Sequence, residues 1–153
     1  MRDLIIGIDP DKINSGLTIY SKSSKAIEVK SLKFFEIYEL LVSAKDSIRQ
    51  VKIECSFLIK KSNWHNNKST GIASRIGKNV GENHQTANLL CEMCDFLDID
   101  YLQKKPLPTK WKGADGKITK DEISKILKGM EIKGSPNSIS NQDKRDSILI
   151  ALF

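Results

Sequence analysis

Four acidic residues stand where acids are costly or unexpected. Asp9 follows Leu4-Ile5-Ile6-Gly7-Ile8, a run apolar enough for a central strand, so its carboxylate sits at that strand's exit. Glu54 closes the short strand pattern Val51-Lys52-Ile53. Asp143 and Asp146 are three apart, which puts both carboxylates on neighbouring parts of one helix face. Carboxylates gathered at the ends of adjacent strands repel one another unless a cation is present. A hard divalent ion resolves that conflict, and Mg²⁺ prefers oxygen ligands. Four acids with no clustered His or Cys suit Mg²⁺ or Mn²⁺ better than Zn²⁺. Two such ions roughly 4 Å apart can clamp the attacking and leaving oxygens of an in-line phosphoryl displacement. Each acid taken singly has an ordinary reading: a turn residue before Pro10, an edge charge, or acids favoured at a helix N-terminus. Their joint placement is what carries the chemistry.

The elements that must position them read as follows. Leu4 to Ile8 is a buried strand, Leu17 to Tyr20 a second, and Ala26 to Leu32 a third. Lys22-Ser23-Ser24-Lys25 turns the chain between the last two, so they pair antiparallel. Phe34, Ile37, Tyr38 and Leu41 recur at helical spacing, which predicts a helix to about Asp46. Val51 to Glu54 is a fourth strand. A long helical region runs roughly from Thr70 to Leu97, with Gly77 and Gly81 interrupting it and Ala87, Leu90, Cys91 and Cys94 on one face. Ile99 to Leu102 is a fifth strand. Thr119 with Glu122 has capping-box spacing, followed by an apolar face of Ile123, Ile126, Leu127 and Met130. Gly134 to Asn137 is a loop. The last helix starts near Ser140, and its residues after Asp146 are almost wholly apolar, so it is buried. The expectation is an α/β fold with a five-stranded mixed sheet: an antiparallel meander of the first three strands plus two parallel strands, flanked by helices.

A length of 153 residues suits one domain spanning 1–153, and 39% hydrophobic residues can fill one core. At 29% charged the chain reads as globular. No apolar run approaches the ~20 residues of a membrane span, and the N-terminus is too short and acidic for a signal peptide. Three cysteines without framework spacing argue against a disulfide-stapled fold, so an intracellular, cytoplasmic protein is expected. Cys91 and Cys94 read as core packing, since no second pair exists. The net charge of +6 favours a polyanionic partner, although abundant Lys, Ile and Asn also fit a compositional bias. With 21 Lys against 4 Arg, backbone phosphate contact suits it better than reading of base edges.

Two lysine groups stand out. Lys104, Lys105, Lys110, Lys112, Lys117 and Lys120 cluster with Trp111, a set able to grip phosphates and stack on a base. Lys60, Lys61 and Lys68 surround Trp64 and His65 just after Glu54, where they can reach over the acids onto nucleic acid. Either group also reads as a solvated loop. His84 can contact phosphate or serve acid-base chemistry, or it can be an ordinary helix residue.

Ile6-Gly7-Ile8-Asp9-Pro10 with Ser15-Gly16, then Ile53-Glu54-Cys55-Ser56-Phe57, then Asp143-Lys144-Arg145-Asp146-Ser147 with Ile148 to Leu152, resemble the ordered motifs of RuvC-type Holliday-junction resolvases. The three motifs come in family order and span nearly the whole chain. Gly77 to Asn83 resembles small viral (phage) members, which would place the protein in host cytoplasm. The resemblance implies an RNase H-like nuclease domain and a crossover junction endodeoxyribonuclease. Asp9, Glu54, Asp143 and Asp146 would be its catalytic, metal-binding carboxylates, holding Mg²⁺ (or Mn²⁺), two ions in all. Phe57 would stack on bases near the junction centre. Lys110 and Lys120 would match two functional lysines, and Lys60, Lys61, Trp64 and Lys112 join them as DNA-binding candidates. The expected partners are branched DNA and a second copy of the chain, with paired nicks leaving a 5′-phosphate and a 3′-hydroxyl. No membrane or nucleotide cofactor is expected. Asp11 stands where the family more often has Gly, so the loop after the first strand departs from its pattern. Other readings are an RNase H-like nuclease on other branched DNA or RNA-DNA hybrids, and a non-catalytic branched-DNA-binding module. Gly7-Ile8-Asp9 also resembles the first phosphate loop of actin-like nucleotide-binding proteins, but those usually need two lobes.

Overall fold

The computed structural model describes residues 2–59, 70–134 and 139–153. Among these residues six strands and four α-helices follow one another as β1 (Leu4–Asp9), β2 (Ser15–Ser21), β3 (Ala26–Leu32), α1 (Phe34–Ala44), β4 (Ile48–Glu54), α2 (Thr70–Phe96), β5 (Tyr101–Lys104), α3 (Lys120–Ile126), β6 (Glu131–Lys133) and α4 (Gln142–Leu152). They form one mixed sheet in the order β5-β4-β1-β2-β3-β6. β1, β2 and β3 make the expected antiparallel meander. β4 pairs parallel with β1, and β5 parallel with β4.

Five strands were expected and six are present among the described residues. The extra one, β6, is a three-residue edge strand lying parallel to β3. Glu131-Ile132-Lys133 carries one apolar residue and is wholly exposed, so it has no alternation to read. Gly129 and Gly134, at φ 86° and 100°, turn the chain into and out of it. The long helix also differs from expectation, because α2 runs unbroken through Gly77 and Gly81. β5 begins two residues later than expected. Among the described residues no helix is long and apolar enough to cross a membrane.

The strand period of two divides the core. Ile6, Ile8, Leu17, Val51 and Ile53 point to one face, where Ile37 and Leu41 of α1 and Leu90 and Cys94 of α2 cover them. On the other face Ile27 and Val29 meet Ile123 and Leu127 at α3, and Ile148 and Leu149 of α4. Ala87, Leu90, Cys91 and Cys94 are buried as their spacing predicts, and all three cysteines are free thiols. Thr119 caps α3: its hydroxyl accepts the Glu122 N–H while the Glu122 carboxylate accepts the Thr119 N–H.

α4 lies directly on the sheet, and the reason is two glycines. A Cβ at Gly7 would lie 2.7 Å from the Ala151 Cβ and closer still to the Ser147 carbonyl oxygen. A Cβ at Gly16 would collide with the backbone carbonyl of Asp143. With no side chain at either position, the helix backbone sinks onto β1 and β2. Buried Thr18 and Ser147 then share a hydroxyl hydrogen bond of 2.8 Å across the contact. At the far end Lys52 Nζ donates to the Ala151 carbonyl at 3.0 Å and Lys104 Nζ to that of Phe153 at 2.9 Å. Cations at this helix terminus complement its dipole.

Candidate active site

Strand register brings the acids together. Ile8 pairs with Ile53 across parallel strands, so Asp9 and Glu54, each one residue further on, leave the sheet side by side. Asp9 also pairs with Gly16 on its other side, and Gly16 is the residue beneath the Asp143 backbone. Asp146 follows one turn later on α4. All four carboxylates line one open cavity of about 530 Å³. Asp11, from the loop after β1, lines it too. Asn83 and His84 bring α2 to its wall, and Trp111 and Lys117 bring in the segment before α3.

The electrostatics are those of crowded acids. Burial, followed by the charges of Glu54, Asp146 and Asp143, pushes the Asp9 carboxyl well above its ordinary value. Burial also raises Glu54, Asp143 and Asp146. Asp11 adds its charge to Asp143. Some opposing contacts are present: the Leu107 N–H donates to Glu54 Oε2 at 3.2 Å, and Gln142 Nε2 to Asp146 Oδ1 at 2.7 Å. Lys117 is the cation whose charge opposes the shift of all four acids, and its Nζ lies 3.8 Å from Asp146 Oδ2.

A stability consequence follows from the sign of these shifts. Above about pH 4 the unfolded chain has released these protons while the folded chain still holds some, so stability falls as pH rises towards the raised values. In a metal chelator, the thermal unfolding midpoint should be higher near pH 5 than near pH 8, read by differential scanning fluorimetry. A midpoint that climbs steadily over that range would contradict mutual repulsion among the four.

No protein-family model matches the sequence, and a search of the curated proteins found no match. Solved structures do match. T. thermophilus RuvC in complex with a Holliday junction substrate aligns over 98% of this chain and 91% of its own, with 18% identity and a TM-score of 0.59. A second T. thermophilus RuvC structure aligns over 97% and 91%, again with 18% identity and a TM-score of 0.51. The fold is that of RuvC. It is the RNase H-like architecture expected from the motifs, with one strand more than the sequence indicated.

Placed on this RuvC fold, the other candidate residues divide. Phe57 follows Glu54 in a short 3-10 turn and packs edge-on against His84, with ring centroids 6.1 Å apart. Lys110, Lys112 and Lys120 are exposed and lie outside the cavity wall; the Lys110 ammonium sits 5.3 Å from the Trp111 ring centre. Lys60, Lys61 and Trp64 lie outside the described residues. Lys117 was one of six clustered lysines with nothing in the sequence to distinguish it. Gln142 carried a usable signal, since it stands four residues before Asp146 on a helix.

The donor set fits a hard cation. It is all oxygen, it lies at one cavity wall, and its members repel one another without a counter-charge. Among the described residues no three His, Cys, Asp or Glu side chains form a cage by themselves.

Proposed function

We propose that this protein is a metal-dependent, structure-specific DNA endonuclease that resolves four-way junctions. The observation that carries the reading is the convergence of Asp9, Glu54, Asp143 and Asp146 on one cavity of a RuvC fold. Under this reading the four carboxylates hold Mg²⁺, with Mn²⁺ able to substitute, in two positions. When bound, the ions would supply an acidified water and offset negative charge developing on the phosphoryl and leaving oxygens. The protein's own groups do the rest. Lys117 attracts the scissile phosphate to the carboxylates and orients it there. Phe57, packed against His84 of the cavity wall, stacks on an unpaired base where the strands exchange. Lys110, Lys112 and Lys120, with Lys60, Lys61 and Trp64, grip the arms through phosphates and stacking.

A second copy of the chain completes the reaction. Two sites related by a two-fold axis nick opposed strands symmetrically, each leaving a 5′-phosphate and a 3′-hydroxyl. The whole chain 1–153 serves as the nuclease domain.

The deciding experiment is cleavage of labelled synthetic four-way junctions with and without Mg²⁺, beside flaps, Y-branches and RNA-DNA hybrids at one salt concentration. Paired symmetric nicks confined to four-way junctions and dependent on metal support the proposal. Preferential cutting of another substrate would reassign the specificity. Tight binding with no metal-dependent cleavage would leave a binding module.

Lysine variants separate the two lysine roles. Lys117→Met should slow cleavage of bound junction by about 10², the scale seen when one charge-stabilising donor is lost. Lys110→Ala, Lys112→Ala and Lys120→Ala should instead weaken junction affinity and flatten its salt dependence, with the saturated rate unchanged. Gel shifts and single-turnover rates on the same proteins read both quantities. Equal effects on rate from all four would remove the special role given to Lys117.

A further inference from the structure

Asp146 is reached from two sides, and both contacts lead back to one side chain. Gln142, a turn earlier on α4, donates its amide N–H to Asp146 Oδ1 at 2.7 Å. Lys117 approaches Oδ2. Arg145 lies between the two aspartates in sequence, yet its guanidinium hydrogen-bonds elsewhere. Its Nη2 donates to Gln142 Oε1 at 2.9 Å. Its Nε donates to the carbonyl of Ile118, the neighbour of Lys117, at 3.1 Å. Its Nη1 donates to the carbonyls of Ile139 and Ser140 at 3.0 and 2.8 Å.

The Gln142 amide is thereby fixed in one sense. Its oxygen is taken by the guanidinium, so its nitrogen must face the carboxylate. One oxygen of Asp146 is then held by Gln142, and the other, Oδ2, is the one that Lys117 approaches at 3.8 Å beside the cavity. The same guanidinium ties the segment bearing Lys117 to the helix bearing Asp146.

We propose that Arg145 and Gln142 are positioning residues for the metal site: Arg145 orients the Gln142 amide, and Gln142 holds Asp146 by Oδ1 so that Oδ2 is presented to the ion. This rests on the reading of Asp146 as a metal ligand. A hydrogen bond to the outer oxygen of a ligating carboxylate removes rotational freedom that the ion would otherwise have to remove. Loss of such supporting partners typically lowers metal affinity by about 10–100-fold. Lysine cannot replace Arg145, because a single ammonium cannot serve Gln142, Ile118 and the 139–140 carbonyls in their divergent directions.

The test titrates Mn²⁺ into the free protein and follows the EPR signal of unbound ion, for wild type, Gln142→Met, Arg145→Lys, the double variant and Asp9→Asn. Methionine keeps the length of Gln142 without its amide. It leaves the Arg145 contacts to three carbonyls in place, so Gln142→Met folds even where Arg145→Lys does not. Gln142→Met should bind Mn²⁺ about tenfold more weakly. The Mn²⁺ concentration for half-maximal cleavage should rise by a similar factor, with the rate at saturating metal and the junction affinity within about threefold of wild type. Arg145→Lys should shift metal binding the same way, and the double variant should be little worse than the weaker single one, since both act through one hydrogen bond. A purely structural role would lower the unfolding midpoint and leave metal affinity alone. Wild-type Mn²⁺ affinity in Gln142→Met, with Asp9→Asn weakened, overturns the relay alone. Wild-type affinity in Asp9→Asn as well overturns the metal reading and the relay with it.

Discussion

Asp9→Asn should lose at least about 10³-fold in cleavage rate, which is about 4 kcal/mol of transition-state stabilisation. Asp9 lies at the centre of the acid cluster. It leaves β1 beside Glu54, and it is the one carboxylate whose titration feels the charge of all three others. An amide there keeps size and shape but cannot bring the negative charge that draws a divalent ion. Junction affinity should stay within about twofold, because the lysines proposed to contact phosphates are untouched. The same substitution should stabilise the metal-free fold. A buried carboxylate pressed by three like charges opposes folding, and neutralising it relieves that opposition. A gain of about 1 kcal/mol is expected, in the range usual for stabilising changes at functional sites. For a chain of this size that is roughly 2–4 °C in the unfolding midpoint. Nicking assays, gel shifts and thermal melts on one preparation read all three effects. Cleavage near the wild-type rate would remove Asp9 from the catalytic set, and a lower midpoint would contradict the repulsion.

Gly16→Ala should damage the same site without touching any acid. Its new Cβ would occupy the place of the Asp143 backbone carbonyl, so the first turn of α4 must retreat from β2. A displacement of about 1 Å at a catalytic group can cost about 10²-fold in rate. Overpacking at a tight contact costs about 1–3 kcal/mol in stability. Gly7→Ala should cost more stability, because its Cβ meets the middle of α4 at the Ser147 carbonyl and at Ala151. Gly77 and Gly81 make the internal control. A Cβ at either meets nothing within 4 Å among the described residues, so alanine in that helix interior should stabilise by about 0.5–1 kcal/mol. Thermal melts of the four variants, with cleavage rates for Gly16→Ala, test the contrast. Wild-type cleavage by Gly16→Ala would show that α4 can shift without moving its carboxylates.

Much of this architecture is local and therefore legible. The meander, α1, the capped α3 and the apolar α4 rest on periods of 2 and 3.6 and on caps written in adjacent residues. Ala26–Leu32 and the Thr119 cap were read to the residue. What was short or lacked contrast was not legible. β6 has three exposed residues, and Gly77 and Gly81 mark no break because the rest of the 27-residue α2 carries the helix through them. The acids were visible as strand-end and helix-start residues. The lysine among them was not, since Lys110, Lys112, Lys117 and Lys120 are chemically the same residue in similar company.

By itself the sequence determined which groups are available: four carboxylates, their local backbone, and the order of motifs that resembles a resolvase. Tertiary structure alone decided that Asp9 and Glu54 are neighbours, because parallel pairing joins strands 45 residues apart through a register that no local pattern encodes. It also decided that α4 descends onto Gly7 and Gly16, and that Lys117 lines the cavity while Lys110, Lys112 and Lys120 do not. The physical reason is common to all three. A side chain's identity is fixed by the chain, but its electrostatic surroundings are set by packing between distant segments.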